Sequence, residues 1–562
     1  MIMSSARSSD TDQIDLQPAT GNRFNLLRDP WLDCAMGDGG IKTLGMIDVL
    51  ARSHEISSIN VDDPMQDAPL FRTLLAFLYA AFDPVTMDEW RHIWSAGVMP
   101  VDRLEEYAGR HAEEFWLHSP SKGYCQTPSA EPAGGLKSLK PFSSLIQTPN
   151  DRGTLFPNMS GSAAVSMTDA QLARWVITCN AYDRCAAHGG FVGDPKLSKG
   201  ISYASMPYLG QLTVVRLKTG NLFTDLMLSM IPLDSGLFVM DAVDNDAIDD
   251  LFSVVPELTA GEPAWEKPDL VPGEDGAAND KLRPASLQDC LTWRSRRIKI
   301  YYDSDGVASR IMLSPGQHVT VEDQMGLEPM AAWKAVQAKK DAPIHWVPLR
   351  YSAEKSFWRG LPALLAATDE SKPPMTLRWA AKLSDDGLLS AGYVGNVTVE
   401  TCRYDSSMSS LVTDYLVDRV ELPVSLVEDP AKTQIVKTAI GKAEEAVRAY
   451  GLMVQRIRVA GGEDMTTAGD ERQKQQSIAY DLLGERFMEW LQTMLGSASP
   501  LEEWWSIVRS TARELAENYA GQAPVSAIIG RVIDGTAYSV ATSRMKFYAG
   551  LKSIGRGMKS ED

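Results

Sequence analysis

Asp429-Pro-Ala-Lys-Thr-Gln-Ile-Val-Lys-Thr-Ala-Ile-Gly-Lys-Ala-Glu-Glu-Ala-Val-Arg-Ala-Tyr450 opens the stretch that decides the fold. Ile435, Val436, Ala439, Ile440, Ala443, Val447 and Tyr450 recur at three- and four-residue intervals, so on a helix they form one apolar stripe. Phe487, Trp490, Leu491 and Met494 make a second stripe, and Gly461 to Gly469 supplies the loop between the two helices. Ser499-Pro-Leu-Glu502 reads as a capping box with proline at the first helical position, which starts a third helix. Gly521-Gln-Ala-Pro524 separates it from a fourth that runs towards Ile554. Long helices with short loops and one apolar face each predict a four-helix bundle over residues 429–562.

Upstream of the bundle the texture changes. Leu291 to Tyr302 and Leu388 to Arg403 alternate with β-branched and aromatic residues and read as strands or hairpins. In the second, Gly392-Tyr-Val-Gly-Asn-Val-Thr398 places turn residues in the middle of a hairpin-like pattern. Acidic, proline-rich Glu257 to Asp280 is expected to be a surface insertion or a disordered loop. Gln211 to Leu217 reads as a strand, and Leu172 to Cys185 as a buried helix that stops at the glycine-rich turn His188-Gly-Gly-Phe-Val-Gly193. Ser119 to Thr168 reads as exposed loops broken by short elements, and Pro69 to Phe82 as a helix. Ordered structure begins at Phe24-Asn-Leu-Leu-Arg-Asp-Pro-Trp-Leu32. The expected fold class is α+β: a disordered tail over 1–22, a large mixed α/β recognition domain over 23–428, then the four-helix bundle.

The bulk composition narrows the function. With 562 residues, 44% apolar and 23% charged, the chain can bury a large core. The first residues lack the apolar region of a signal peptide, and the longest apolar run, Leu74 to Phe82, is too short to span a bilayer, so a cytoplasmic location is expected. Six cysteines (Cys34, Cys125, Cys179, Cys185, Cys290, Cys402) are scattered singly, which predicts reduced thiols and no zinc. A net charge of −18 opposes non-specific binding to phosphates. Local basic surfaces are still open to Arg294, Arg296, Arg297 and Lys299, to Arg456 and Arg458, and to Arg544, Lys546, Lys552, Arg556 and Lys559. The bland reading of each cluster is a solvated helix or strand face.

Catalytic signatures are missing. The sequence has no phosphate loop, dinucleotide fingerprint, nucleophile elbow or His-Glu-x-x-His pair. Its seven histidines stand alone, and carboxylate pairs such as Asp62-Asp63 and Asp385-Asp386 look like turns. No cofactor or metal is expected and the chain reads as a non-enzyme. From spacing alone, Gly189 to Gly193 is a helix C-cap, or else backbone brought close to a polyanion or a base edge.

The order of several short motifs resembles a known family. Phe24 to Leu32, Phe115-Trp-Leu-His118, Tyr124-Cys-Gln-Thr127, Leu155-Phe-Pro-Asn158, His188 to Gly193 and the closing bundle follow one another as in the CasA family, the large subunit of the type I-E CRISPR surveillance complex Cascade. The resemblance spans nearly the whole chain from Phe24. It implies a non-catalytic subunit in antiviral defence that recognises the protospacer-adjacent motif (PAM) in double-stranded DNA, helps open the duplex for the guide RNA, and licenses recruitment of a helicase-nuclease. The partners it implies are other Cascade subunits, the 5′ handle of the guide RNA, target DNA and that effector, with no membrane.

The resemblance also assigns residues. Phe156, Pro157 and Asn158 match the loop that anchors the subunit at the guide-RNA handle, where an aromatic ring and an amide suit unpaired bases. Gly189, Gly190, Phe191, Val192 and Gly193 match the glycine loop that meets the PAM in the minor groove, which admits backbone readily. Asn396, Val397 and Thr398 match the tip of the duplex wedge, with Val397 standing where the family pattern has glutamine. The family's PAM-contacting lysine has no counterpart between Asp303 and Arg310, so Arg310 is the substitute. Two other readings compete: a scaffold subunit without sequence readout, and a metal-dependent nuclease built from scattered carboxylates.

Overall fold

The computed structural model describes residues 16–140, 142, 167–195, 197–238, 261–268, 282–339, 342–351, 356–390, 392–405 and 412–556. The chain mixes helices and strands and ends in a helical region, an α+β fold, and divides into two compact units. One comprises residues 1–331, 336–350 and 399–417; the other comprises 332–335, 351–398 and 418–562.

In the first unit, β1 (Leu32–Met36) is the centre of an antiparallel sheet between β2 (Ile41–Leu44) and β3 (Ile56–Asn60). Helix α1 (Asp67–Ala81) carries Leu70, Phe71, Leu74, Leu75, Phe77 and Leu78 around its circumference and is accordingly buried on all sides. Helix α2 (Asp169–Tyr182) opens with a capping box formed by Thr168 and Gln171, and is buried almost throughout. There follow a short hairpin of β4 (Ala187–Gly189) and β5 (Ile201–Tyr203), then β6 (Thr213–Leu217). β7 (Arg296–Tyr302) pairs antiparallel with β8 (Ala308–Pro315), and the register shifts between Ala308 and Arg310.

Three expectations change here. The basic cluster on β7 is neither a solvated face nor a basic surface, because every residue of the strand is buried. Arg296 is ion-paired with Asp183, Arg297 with Asp194 at 2.6 Å, and Lys299 with Glu131 at 2.9 Å. A buried cation survives only with such a partner, and charge counting along the sequence cannot see a partner over a hundred residues away. The tail is ordered before residue 23: Gln17 exchanges two 2.8 Å backbone hydrogen bonds with Tyr302. Within the acidic stretch expected on the surface, Trp265 is buried, packs on Phe115 and donates to Tyr107 Oη at 2.8 Å.

The second unit holds α3 (Met375–Asp385) and the terminal helices α4 (Pro430–Gly461), α5 (Met465–Thr493) and α6 (Pro500–Gly521). Asp429 caps α4 by accepting from Lys432 N at 3.0 Å, so the helix starts where the bundle was expected to begin; the compact unit itself reaches further back along the chain. The stripe facing inward from α4 is the one read in the sequence, with Val436, Ala439, Ala443, Val447 and Tyr450 all buried. Trp358, Phe487, Trp490 and Trp504 interlock with ring centroids 5.0–5.4 Å apart along the chain of contacts, and Trp504 Nε1 donates to Ala439 O at 2.8 Å.

Two details differ. Ser499 precedes Pro500 but its side chain makes no cap bond, so the capping box does not form. The fourth long helix, α8 (Val540–Arg556), begins later than expected. A short helix α7 (Val525–Ile529) and a hairpin of β11 (Arg531–Ile533) and β12 (Thr536–Tyr538) intervene, because Gly530 and Gly535 take φ of +81° and +75° and break the helical path.

Candidate nucleic-acid interface

Helix α2 ends at Tyr182, capped by Asp183 in an extended conformation, so the glycine-rich segment is not its C-cap. The chain turns back instead and pairs Ala187 with Tyr203, His188 with Ser202 and Gly189 with Ile201. The connection from Gly190 to Gly200 is anchored by one residue the sequence reading passed over. Asp194 Oδ2 accepts from Phe191 N at 2.8 Å while Oδ1 accepts from Arg297 Nη1 at 2.6 Å. Arg297 also lies over the Phe191 ring, 4.7 Å from its centroid.

Phe191 is fully buried, at 0% exposure, in a cluster with Tyr301 and Met312. It therefore holds the loop to the body of the unit and offers no side chain to a ligand, which corrects its place among the contact residues. Val192 N donates to Glu131 O at 2.8 Å, and Ala133 N to Gly190 O at 2.9 Å, so the loop is stitched on its other side as well. Gly189 lies close to Met312: a Cβ there would stand 2.5 Å from Met312 Cε, the far end of a flexible side chain that would have to shift. Gly193 is required by conformation, with φ of +90° in open space.

What remains outside is Val192 at 69% exposure, Gly193, Lys199, and on β5 the Tyr203 ring at 72%. Alternation along β5 turns Ser202 inward, so Ile201 and Tyr203 share the outer face. Arg310 lies two residues from Met312 on β8, hence on the same strand face, is half-buried, and donates to Ser309 O at 3.0 Å. Exposed Lys140 pairs with Ile311 through two backbone bonds of 2.7 and 2.9 Å, next to Arg310. The structure thus brings Gly189 against Met312, with Arg310 two residues along β8 and Lys140 beside it, while Val192 and Gly193 stand out in the connection between β4 and β5. Tyr203 and Lys140 were missed because neither lies in a motif; the only sequence signal was the alternation Ile201-Ser-Tyr203.

The wedge assignment is corrected in its geometry. β9 (Val394–Tyr404) neighbours β10 (Val412–Pro423) in one sheet, and Asn396 is the third residue of β9 and not a turn residue. Its side chain is exposed, but Val397 is fully buried and Thr398 nearly so, leaving neither free to enter a base step. The actual turn beside Asn396 precedes the strand, with Tyr393 N bonded to Ser390 O at 2.9 Å and Gly392 at φ of +83°. Phe156, Pro157 and Asn158 lie outside the described residues.

Groups of catalytic type are engaged elsewhere. His188 Nε2 stands 3.2 Å from Asp183 Oδ2, which Arg296 also grips. Burial alone would raise the Asp183 carboxyl, but Arg296 and then His188 outweigh it and hold it well below the usual carboxylate range. Burial pushes the Cys34 and Cys402 thiols up to about 12 and those of Cys125 and Cys185 up to about 11, with Cys179 and Cys290 also raised, so all six are protonated at neutral pH. Among the described residues no three His, Cys, Asp or Glu side chains are grouped to hold a metal, and no helix is long and apolar enough to cross a membrane.

Comparison with known proteins adds a family to this geometry. The sequence model described as CRISPR-associated protein Cse1 matches residues 25–515. A curated relative, CRISPR-associated protein CasA/Cse1 of Thermus thermophilus, is 26% identical over 446 residues, 78% of each chain. Among solved structures, Cse1 of Thermobifida fusca is similar with a TM-score of 0.80 at 24% identity, covering 95% of this chain and 98% of the other. A chain of a CRISPR RNA-guided surveillance complex is similar with a TM-score of 0.62 at 17% identity, covering 97% and 100%. Identities this low make the structural likenesses ones of fold.

Proposed function

The chain belongs to the CRISPR-associated Cse1 (CasA) family, and from that premise we propose that it is a non-catalytic subunit of an RNA-guided surveillance complex that reads the PAM of double-stranded DNA through the β4–β5 hairpin. The observation that carries the reading is the anchored glycine loop. Its amides at Phe191 and Val192 are consumed internally and its ring is sunk in the core, which leaves a thin, rigid edge at Val192 and Gly193. An edge without bulky side chains suits a minor groove about 6 Å wide, where the pattern of bases is degenerate and readout is tolerant. Arg310, Lys140 and Lys199 would meet phosphates on either side, and Tyr203 would lie flat against a sugar or base.

The net charge of −18 fits a subunit that engages DNA only inside an assembly whose other members and guide RNA hold the target. Within that assembly the residues 156–158 would meet the RNA handle, and the exposed turn before Asn396 would support strand separation. Recruitment of a helicase-nuclease follows as the downstream step.

The test is target binding by the guide-loaded assembly with and without this chain, on duplexes that differ only in the flanking motif. Val192→Asp sets a negative charge on the exposed edge without disturbing the buried anchor. Loss of discrimination with an unchanged melting temperature is the expected result. Discrimination that persists without the chain refutes the reading in favour of a scaffold; nucleic-acid turnover by the pure chain with Mg²⁺ or Mn²⁺ refutes it in favour of a nuclease.

A further inference from the structure

In the second unit, the segment that breaks the helical path before α8 turns apolar side chains outward. Helix α7 rests on the end of α4 through Ala527, which is fully buried, and Ser526 Oγ donates to Gly461 O at 3.0 Å. Val525, Ile528 and Ile529 are related by three- and four-residue spacing and share the opposite face of α7. On β11, the Arg531 guanidinium lies over the C-terminal cap of α4, where a Cβ on Gly462 would stand 2.8 Å from Nη2. Arg531 pairs across the hairpin with Tyr538, whose ring lies 5.7 Å from the Arg456 guanidinium. Alternation then puts Val532 and its partner Ala537 on the outer face. Val525, Ile528, Ile529 and Val532 are each 60–78% exposed, a ridge of branched aliphatic side chains of the kind that marks an interaction site. They lie past residues 25–515, so the family match does not account for them.

Pro524, which leads into the ridge, also lines a crevice of about 350 Å³ between α4, α5 and α6. Its inner wall includes buried Ile457 and Tyr450, and Tyr450 Oη donates to Gln475 Oε1 at 2.9 Å. Gln475 Nε2 donates in turn to Glu471 Oε1 at 3.0 Å. Two charged residues line the crevice. Arg458 is taken by Glu463, which lies outside the lining and accepts from Arg458 Nε at 2.8 Å. Glu471 has no ion pair among the described residues, so the crevice presents one uncompensated carboxylate, with the half-buried Tyr519 ring also in its wall.

We propose that ridge and crevice together seat another protein subunit of the surveillance assembly, one that offers an arginine flanked by apolar side chains. The arginine enters the crevice, pairs its planar guanidinium with Glu471 and lies against Tyr519, while the apolar flank covers the ridge. An arginine anchor in a pocket, ringed by aliphatic contacts that exclude water, is the usual centre of a protein interface. Charge selects the occupant: an unpaired carboxylate on a chain of net charge −18 attracts a basic protein face, whereas the same carboxylate beside an apolar ridge opposes a nucleic-acid strand. The inference rests on the reading of this chain as an assembly subunit, and not on PAM readout.

The experiment immobilises the guide-loaded assembly lacking this chain and titrates it with the full chain, then with Ile529→Asp, Val532→Asp and Glu471→Gln. The expected result is an apparent Kd raised at least about tenfold by each variant, with the circular-dichroism spectrum and melting temperature unchanged and PAM discrimination kept once the chain is saturating. A photo-reactive benzoylphenylalanine in place of Ile528 should crosslink to an arginine-containing peptide of a protein subunit. Unaltered affinity in all three variants, or a crosslink to RNA or DNA, overturns the proposal and leaves the subunit reading standing; failure of the unaltered chain to join the assembly overturns both. Self-association of the free chain that Ile529→Asp abolishes would give the ridge to a second copy, and overturns the proposal as well.

Discussion

Asp194→Ala separates the anchoring of the glycine loop from its contacts. The Asp194 carboxylate serves Phe191 N and Arg297 at once, and both of these residues are buried. Removing one partner of a buried ion pair costs about 3–5 kcal/mol, because the remaining charge keeps its desolvation penalty and loses its attraction. The orphaned Phe191 amide adds to this, but the two effects share one carboxylate and do not sum. A net loss of about 4 kcal/mol in local stability is a thousandfold rise in the opening of the hairpin. Hydrogen exchange followed by mass spectrometry reads it directly: amides of residues 187–203 should exchange about a thousandfold faster, while those of α1 change little. Asp194→Asn keeps an acceptor but loses the charge, and should retain part of the protection. In the assembly, Asp194→Ala should lose PAM discrimination although the side chain cannot reach DNA. Unchanged protection of the hairpin in Asp194→Ala would refute the anchoring, and with it the account of why the edge is rigid.

Three other outcomes are expected. Arg72 and Glu328 form a bidentate pair at 2.8 Å with at most 1% exposure, so Arg72→Met should destabilise the first unit by about 3–5 kcal/mol in urea, and Arg72→Met with Glu328→Leu should recover most of the loss. Burial raises the Asp225 carboxyl to about 6, so between roughly pH 4 and 6 the folded chain holds a proton that the unfolded chain has released, and stability falls as pH rises through that window. Asp225→Asn keeps an acceptor for Thr219 N and Oγ1 and should flatten that slope while raising the melting temperature at pH 7. Trp504→Ala should cost the helical unit about 3–5 kcal/mol by opening a cavity among Trp358, Phe487 and Trp490, measured by thermal unfolding of that unit.

How far the sequence reached depended on whether an interaction was local. Helix stripes were legible because side chains three and four residues apart share a face whatever else the chain does, so Val436, Ala439, Ala443 and Val447 pointed inward as read. The same rule gave α1, and the β-branched and aromatic pattern gave β7 and the position of β9, whereas β8, which begins inside the stretch read as a loop, was not seen. The ordered string of motifs named the family, which composition alone could not have done.

Distant partners were the limit. Four basic residues within six positions look like a surface until Asp183, Asp194 and Glu131 arrive from other elements to bury three of them. Glycines after a helix look like its cap until β5 returns to pair with them, and Phe191 looks like part of an edge until Tyr301 and Met312 enclose it. Asn396 reads as a turn residue because Gly392 and Gly395 precede it, yet the pairing of β9 makes it part of a strand. Sequence by itself thus determined the elements, their faces and the family, since these follow from spacing along one chain. Only the tertiary structure decided which charges are buried, which glycine loop is anchored and which side chains of the candidate site meet solvent, because each depends on desolvation by residues far away in sequence.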